Sequence, residues 1–274
     1  MTLRMRILVC VNRDLASNIA LNLLLPTLAL HEARIGLSER VGISGAVDEP
    51  AARSELRAVE QTIPNEILFP LVEKAALPDN GTRYLAFGEM ERLRGIPVMS
   101  LPNPSIEPGL GMVRAFAPDL LVTIRYGAIL KPAVIRVPRF GVLNLHSGKL
   151  PDYRGVLAVF RALMQGDSDL FATLHYISDG TIDTGDTVDV ARVPVRKELS
   201  LFAHILSLYS PGVALLTKAI DTLARGESLQ RIPQSASGGA YYTYPTAEHW
   251  ERFRLDGWRV TKPEDLLYAY KLYT

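Results

Sequence analysis

Gly141-Val142-Leu143-Asn144-Leu145-His146 is the stretch on which the reading of this chain turns. Val142, Leu143 and Leu145 are apolar and flank Asn144 and His146, the pattern of a buried strand whose end carries two polar side chains at i and i+2, on one face. Ser147-Gly148-Lys149-Leu150-Pro151-Asp152-Tyr153-Arg154-Gly155 follows, a turn that redirects the chain into a helix. Further on, Thr173-Leu174-His175 lies in an apolar run, and Asp183 stands in a loop flanked by Gly180 and Gly185. An amide, an imidazole and a carboxylate are so placed that they could meet at the open end of a sheet, which is an active-site arrangement.

Working outward, the segments on either side alternate between strand and helix. Residues 5–11 are a short Ile- and Val-rich run, read as a buried first strand. Ser17-Asn18 offer N-cap chemistry to an apolar-periodic helix reaching about residue 30. The intervening residues 12–16 contain no glycine, so a dinucleotide fingerprint is absent there. The Gly109-Leu110-Gly111 run lacks both a preceding strand and a third glycine. A second strand is expected at 41–47, then a helical region over 50–76 broken at Pro64 and near Pro70. A helix at 84–93, a strand at 96–101, a short helix at 109–116 and a clean apolar strand at 119–124 complete the first half. Downstream, strands are expected at 171–177 and 187–195, a long helix at 199–225, and a loop or hairpin at 232–244. Residues 248–273 carry Trp250, Phe253, Trp258, Leu266, Leu267 and Tyr268, enough apolar surface to pack as an appendage. The expectation is an α/β fold, a Rossmann-like, doubly wound and mostly parallel sheet over residues 1–226, with a small C-terminal appendage over 227–274.

Asn144-x-His146, Leu150-Pro151-x-Tyr153-Arg154-Gly155, Thr173-x-His175 and Asp183-Thr184-Gly185, in that order, resemble the folate-dependent formyltransferases. That resemblance implies transfer of a formyl group from N10-formyltetrahydrofolate to an amine, with Asn144, His146 and Asp183 as catalytic residues and no metal. Tyr126, Gly127, Ala128, Ile129 and Leu130 are similar to the family's pterin-lining loop, and Asp179 and Gly180 to a loop that closes over the folate. The family often has Pro-Ser-Leu-Leu before the Pro of the turn, where this chain has Ser147-Gly148-Lys149-Leu150. Chemically the trio suits acyl transfer. Asn144 can donate to a tetrahedral oxyanion, and His146 can donate or shuttle a proton. Asp183 can hold the imidazole or accept the amine proton. His175 matches a recurrent family histidine, with a structural or folate-loop role; Asp179 before Gly180 also fits a plain Asx-turn.

Composition narrows the partners. The chain has 274 residues, 48% apolar and 22% charged, with a formal net charge of +1, so no global field recruits nucleic acid. No apolar run approaches the ~20 residues that span a bilayer. The single Cys10 fits a reducing compartment, so a cytoplasmic location is expected. His175, Asp179 and Asp183 are spaced for a metal only on a helix, which their flanking glycines oppose. Arg125, Lys149 and Arg154 supply basic groups near the expected site, and Tyr241, Tyr242 and Tyr244 supply stacking faces. These favour a small-molecule amine on an anionic carrier, above all a nucleotide-linked amino sugar. A siderophore-type amine, water as acceptor in a formyltetrahydrofolate hydrolase, and a folate sensor without turnover are the alternatives. Initiator tRNA is disfavoured, because residues 227–274 are few and mixed in charge for a basic RNA-binding barrel. A homodimer is compatible with this reading.

Overall fold

The computed structural model describes residues 3–38, 50–235 and 238–274. Its strands are β1 (Arg6–Val11), β2 (Glu32–Ser38), β3 (Val98–Leu101), β4 (Leu120–Ile124), β5 (Val142–His146), β6 (Tyr153–Gly155), β7 (Asp169–Ile177), β8 (Thr187–Pro194) and β9 (Ala240–Tyr242). Seven of them form one sheet in the order β3-β2-β1-β4-β5-β7-β8, while β6 and β9 pair separately. β1 through β5 run parallel within the large sheet; β7 is antiparallel to both β5 and β8. This is the doubly wound, mostly parallel α/β architecture expected.

Helices cover both faces of the sheet, which is why the central strands are near-continuous apolar runs. Along β1 the side chains alternate between two cores: Ile7, Val9 and Val11 enter the larger, Leu8 and Cys10 the smaller. Burial pushes the Cys10 thiol up, as befits a core residue. The order reverses at β1, which has β2 on one side and β4 on the other. The crevice beyond the carboxyl ends of β1, β4 and β5 is therefore where such a sheet holds ligands.

Several elements differ from expectation. The helix Leu15–Leu28 is capped by Asp14, whose Oδ1 accepts from the Ser17 amide at 2.7 Å; Ser17 and Asn18 are buried inside the helix instead. The expected strand at 41–47 lies outside the described residues. The second strand is β2, where Glu32, Arg34 and Gly36 interrupt the apolar pattern. Residues 51–75 form one continuous helical rod, with π-helical segments at Ala58–Thr62 and Pro64–Leu68. Pro64 opens the second of these, so the wider turn accommodates it without a break. The long helix expected at 199–225 divides at Leu208 into Leu201–Ser207 and Tyr209–Ala224. Of the loop or hairpin expected at 232–244, the described residues are mostly loop, and their strand β9 pairs in parallel with the distant β6.

The C-terminal helices Ala247–Leu255 and Pro263–Tyr273 share the main core. Trp250 and Phe253 pack on Phe160, with ring centroids 4.5 and 4.8 Å away. Tyr273 meets Phe69 and Tyr84 edge-on, and its hydroxyl donates to Asn18 Oδ1 at 2.6 Å. Among the described residues no helix is long and apolar enough to cross a membrane.

Candidate active site

Strand register builds the core of the site. Thr123 of β4, Asn144 of β5 and His175 of β7 are direct cross-strand neighbours, and His146 lies opposite Thr173. The first three side chains form a hydrogen-bonded row. Thr123 Oγ1 donates to Asn144 Oδ1 at 2.7 Å, and Asn144 Nδ2 lies 2.9 Å from His175 Nε2. His175 Nδ1 faces the Tyr176 carbonyl at 2.9 Å and must donate to it, so Nε2 is the acceptor for the Asn144 amide. The Asn144 amide is thereby fixed with its nitrogen toward Asp183 Oδ1, at 3.5 Å.

His146 is held from its far side. Its Nε2 donates to the Tyr153 carbonyl at 2.8 Å, leaving Nδ1 to face Asp183 Oδ2 at 3.6 Å. Gly148 makes room for this ring: a Cβ there would lie 2.7 Å from His146 Nε2 and 2.4 Å from the Ala158 methyl carbon. Glycine at 148 thus has a packing reason.

Asp183 sits in the left-handed region at φ +56°, and its Oδ2 also accepts the Gly155 amide at 2.8 Å. Burial alone would raise its carboxyl. The positive charge of His146 and His175 when protonated, together with the Gly155 N–H, outweighs that and brings it down to about 2. Asp183 is therefore ionised near neutrality. It is better suited to hold an imidazolium than to keep the amine proton.

Thr123, Asn144, His146, Gly155 and Asp183 line a cavity of about 550 Å³, with His175 behind them. Tyr126, Gly127, Ala128, Ile129 and Leu130 form one wall; Asp179, Thr181 and Ile182 stand with Asp183 on another. The Gly127 amide is pinned by Asn12 Oδ1 at 3.1 Å, and the Ile129 carbonyl accepts from Ser105 Oγ at 3.1 Å. Gly180 stands behind its wall, with Lys131 about 3.6 Å from where a Cβ would be. Asp179 Oδ1 accepts from the Thr181 hydroxyl and, at 2.7 Å, from the Thr181 amide in an Asx-turn, and in that order these draw its carboxyl below the usual range. Among the described residues, no group of three or more His, Cys, Asp or Glu is placed to hold a metal ion.

The three basic residues expected to bind substrate are placed differently. Arg125 reaches the cavity wall, but its Nε is 3.1 Å from Asp14 Oδ2 and its Nη2 2.8 Å from Glu60 Oε1. Lys149 pairs with Asp152 at 2.8 Å, half-exposed, and neither it nor Arg154 lines this cavity. What sequence reasoning missed is the face of the 51–75 rod: Arg53, Leu56, Arg57, Glu60 and Gln61 all line the cavity. Their i, i+3, i+4, i+7, i+8 spacing was the available signal, hidden because the stripe is mostly polar. Tyr241 and Tyr244 also line the cavity, and the Arg53 guanidinium lies 3.9 Å from the Tyr244 ring centroid.

Residues 107–217 match the family profile described as formyl transferase. That segment is similar to a formyl transferase domain, and it holds the Asn144, His146 and Asp183 cluster and the 126–130 wall. A methionyl-tRNA formyltransferase from Chlamydia pneumoniae is 33% identical over 143 residues, covering 52% of this chain and 44% of the relative. The chain spans about half the length of the curated relatives it matches. In fold, it resembles an N-formyltransferase from Helicobacter canadensis solved with folinic acid and dTDP-3-aminofucose, with a TM-score of 0.54 at 14% identity, over 86% of this chain and 70% of that one. It also resembles glycinamide ribonucleotide transformylase 1 from Symbiobacterium toebii, with a TM-score of 0.56 at 15% identity, over 84% and 94%.

Proposed function

We propose that this chain is an enzyme that transfers a formyl group from N10-formyltetrahydrofolate to the amine of a small acceptor carried on a nucleotide, most specifically an amino sugar. The observation that carries the reading is that Asn144, His146 and Asp183 converge on one cavity that the 126–130 loop also lines. The amine attacks the formyl carbon, and Asn144 Nδ2 donates to the oxyanion that develops. Thr123 keeps that amide nitrogen turned toward the site. Nδ1 of His146 takes the amine proton and returns it to the departing folate nitrogen, because Nε2 is committed to Tyr153. Asp183, ionised, stabilises the imidazolium formed between these steps. The donor's pterin is assigned to the pocket between the 126–130 and 179–183 walls.

The acceptor assignment now rests on Arg53, Arg57, Tyr241 and Tyr244 rather than on Lys149 or Arg125. Guanidinium groups suit phosphate and the tyrosine faces suit a base. A tRNA-borne amine is the second reading, favoured by the names of the sequence relatives. The test is a panel with N10-formyltetrahydrofolate: nucleotide-linked amino sugars, N-hydroxyornithine, free amino acids, charged initiator tRNA, and buffer alone. The expected result is the highest kcat/KM with a nucleotide sugar, lost by ~10²–10³ in His146→Ala or Asp183→Asn. Efficient formylation of tRNA and of no nucleotide sugar overturns the acceptor; release of formate without any amine overturns transfer.

A further inference from the structure

Gln234 lies outside the matched 107–217 segment, in a stretch whose other described residues from 231 to 235 are exposed. Its side chain alone turns inward. Nε2 donates to the Asp183 carbonyl at 3.1 Å and to the Gly185 carbonyl at 2.6 Å, while Oε1 is buried with no hydrogen-bond partner. The amide is thus used purely as a donor, and both its hydrogens grip the backbone of the Asp183 loop.

The same stretch is tied down on either side. Ile232 and Thr187 exchange backbone hydrogen bonds at 2.8 and 2.9 Å. Arg231 covers the Tyr176 ring, its guanidinium carbon 3.6 Å from the centroid. Further along, the Ala240 amide donates to Asp152 at 3.1 Å and the Val156 amide to Tyr242 at 3.0 Å, framing Gly155. Gly155 is the residue whose amide holds the Asp183 carboxylate. Gly239, at φ +75°, presses so close to the Pro151 carbonyl that a Cβ would lie 1.7 Å from it. Both the backbone and the carboxylate of Asp183 are therefore fixed by groups that this strap positions. Aspartate tolerates the left-handed conformation better than most residues with a Cβ, and the two donors from Gln234 add to what holds it there.

We propose that Gln234 is a positioning residue for Asp183: it clamps the 183–185 backbone so that the carboxylate meets His146 and the Gly155 amide. This rests on the reading of Asp183 as part of the catalytic group. The test uses the full chain with Gln234→Met, which keeps length and removes both donors, and Gln234→Glu, which puts acceptors against two carbonyls. Without substrate, the Gly155 amide should exchange with solvent about tenfold faster in each variant, the order of one lost hydrogen bond, while amides of β1 and β4 stay protected. With donor and acceptor, kcat should fall about tenfold, the amine KM should move less than about threefold, and the acid limb of the kcat profile should shift upward. Unchanged Gly155 exchange, or a lowered melting temperature with intact kcat and pH profile, overturns the proposal. The exchange arm needs no turnover, so it stands even if the formyl-transfer reading fails.

Discussion

Gly148→Ala is expected to disable the site while leaving the chain folded. The added methyl carbon would sit 2.4 Å from Ala158 Cβ, 2.7 Å from His146 Nε2 and 3.1 Å from His146 Cδ2. Carbon atoms in contact rest about 3.5–4.0 Å apart, so something must move by roughly 1 Å. Ala158 opens the helix Ala158–Gln165 and is buried, whereas the His146 ring is held by one hydrogen bond to Tyr153. The ring yields first. Overpacking of this kind costs roughly 1–3 kcal/mol of stability. A misplacement near 1 Å at a reacting group costs about 10²-fold in kcat. The double variant Gly148→Ala, Ala158→Gly separates the two effects, because it relieves the contact with Ala158 and keeps the contact with His146. Urea unfolding should show most of the stability regained in the double variant, while turnover stays low. Wild-type kcat in the single variant, or recovery of stability and turnover together in the double one, would refute the claim that Gly148 exists to seat His146.

Asp183 predicts an acid-side signature. Its carboxyl titrates at about 2 in the folded chain, below the ~3.9 of an unfolded aspartate, so the stability it adds is present above ~4 and lost as pH falls toward 2. Urea midpoints of wild type and Asp183→Asn should converge on acidification, closing a gap of roughly 2–3 kcal/mol; parallel curves would rule this out. Thr123→Val removes the hydroxyl that orients Asn144 and should lower kcat about tenfold with little change in melting temperature. Arg125→Met leaves Asp14 and Glu60 facing each other without their cation. Breaking a buried pair of this type costs roughly 3–5 kcal/mol, which a shifted urea midpoint would report.

How much the sequence disclosed depended on whether a residue's role is local. The central strands announced themselves, because burial on both faces demands unbroken apolar runs. Asn144 and His146 were legible for a related reason: two polar side chains at i and i+2 on such a strand have nowhere to point but beyond it or into a partner. The pairing of Asn144 with Thr123 and His175 was not legible, since it depends on register between residues 21 and 31 positions away. β2 was hidden by its charges. The rod at 51–75 was obscured because Pro64 reads as a helix break, and only a π-turn lets the chain continue.

Arg125 shows the limit most sharply. On sequence it is a cation at a strand end, free to take a phosphate. In the fold it is the counter-ion of two buried carboxylates that arrive from residues 111 and 65 positions away. Burial would depress its guanidinium charge, and Asp14 and Glu60 reverse that, holding it well above its ordinary value. Burial in turn raises the Glu60 carboxyl, which Arg125 only partly offsets. The trio's formal charge, one cation against two carboxylates, is negative rather than positive. Paired in this way, Arg125 has no charge to spare for a phosphate. On the reading proposed above, the phosphate of a nucleotide-linked acceptor is expected toward Arg53 and Arg57, which also line the cavity. Arg53→Gln tests this directly. It should raise the KM for nucleotide-linked acceptors more than that for their free amino sugars, and leave that for the donor unchanged. Equal effects of Arg53→Gln on linked and free sugars would break the assignment of the carrier to that face.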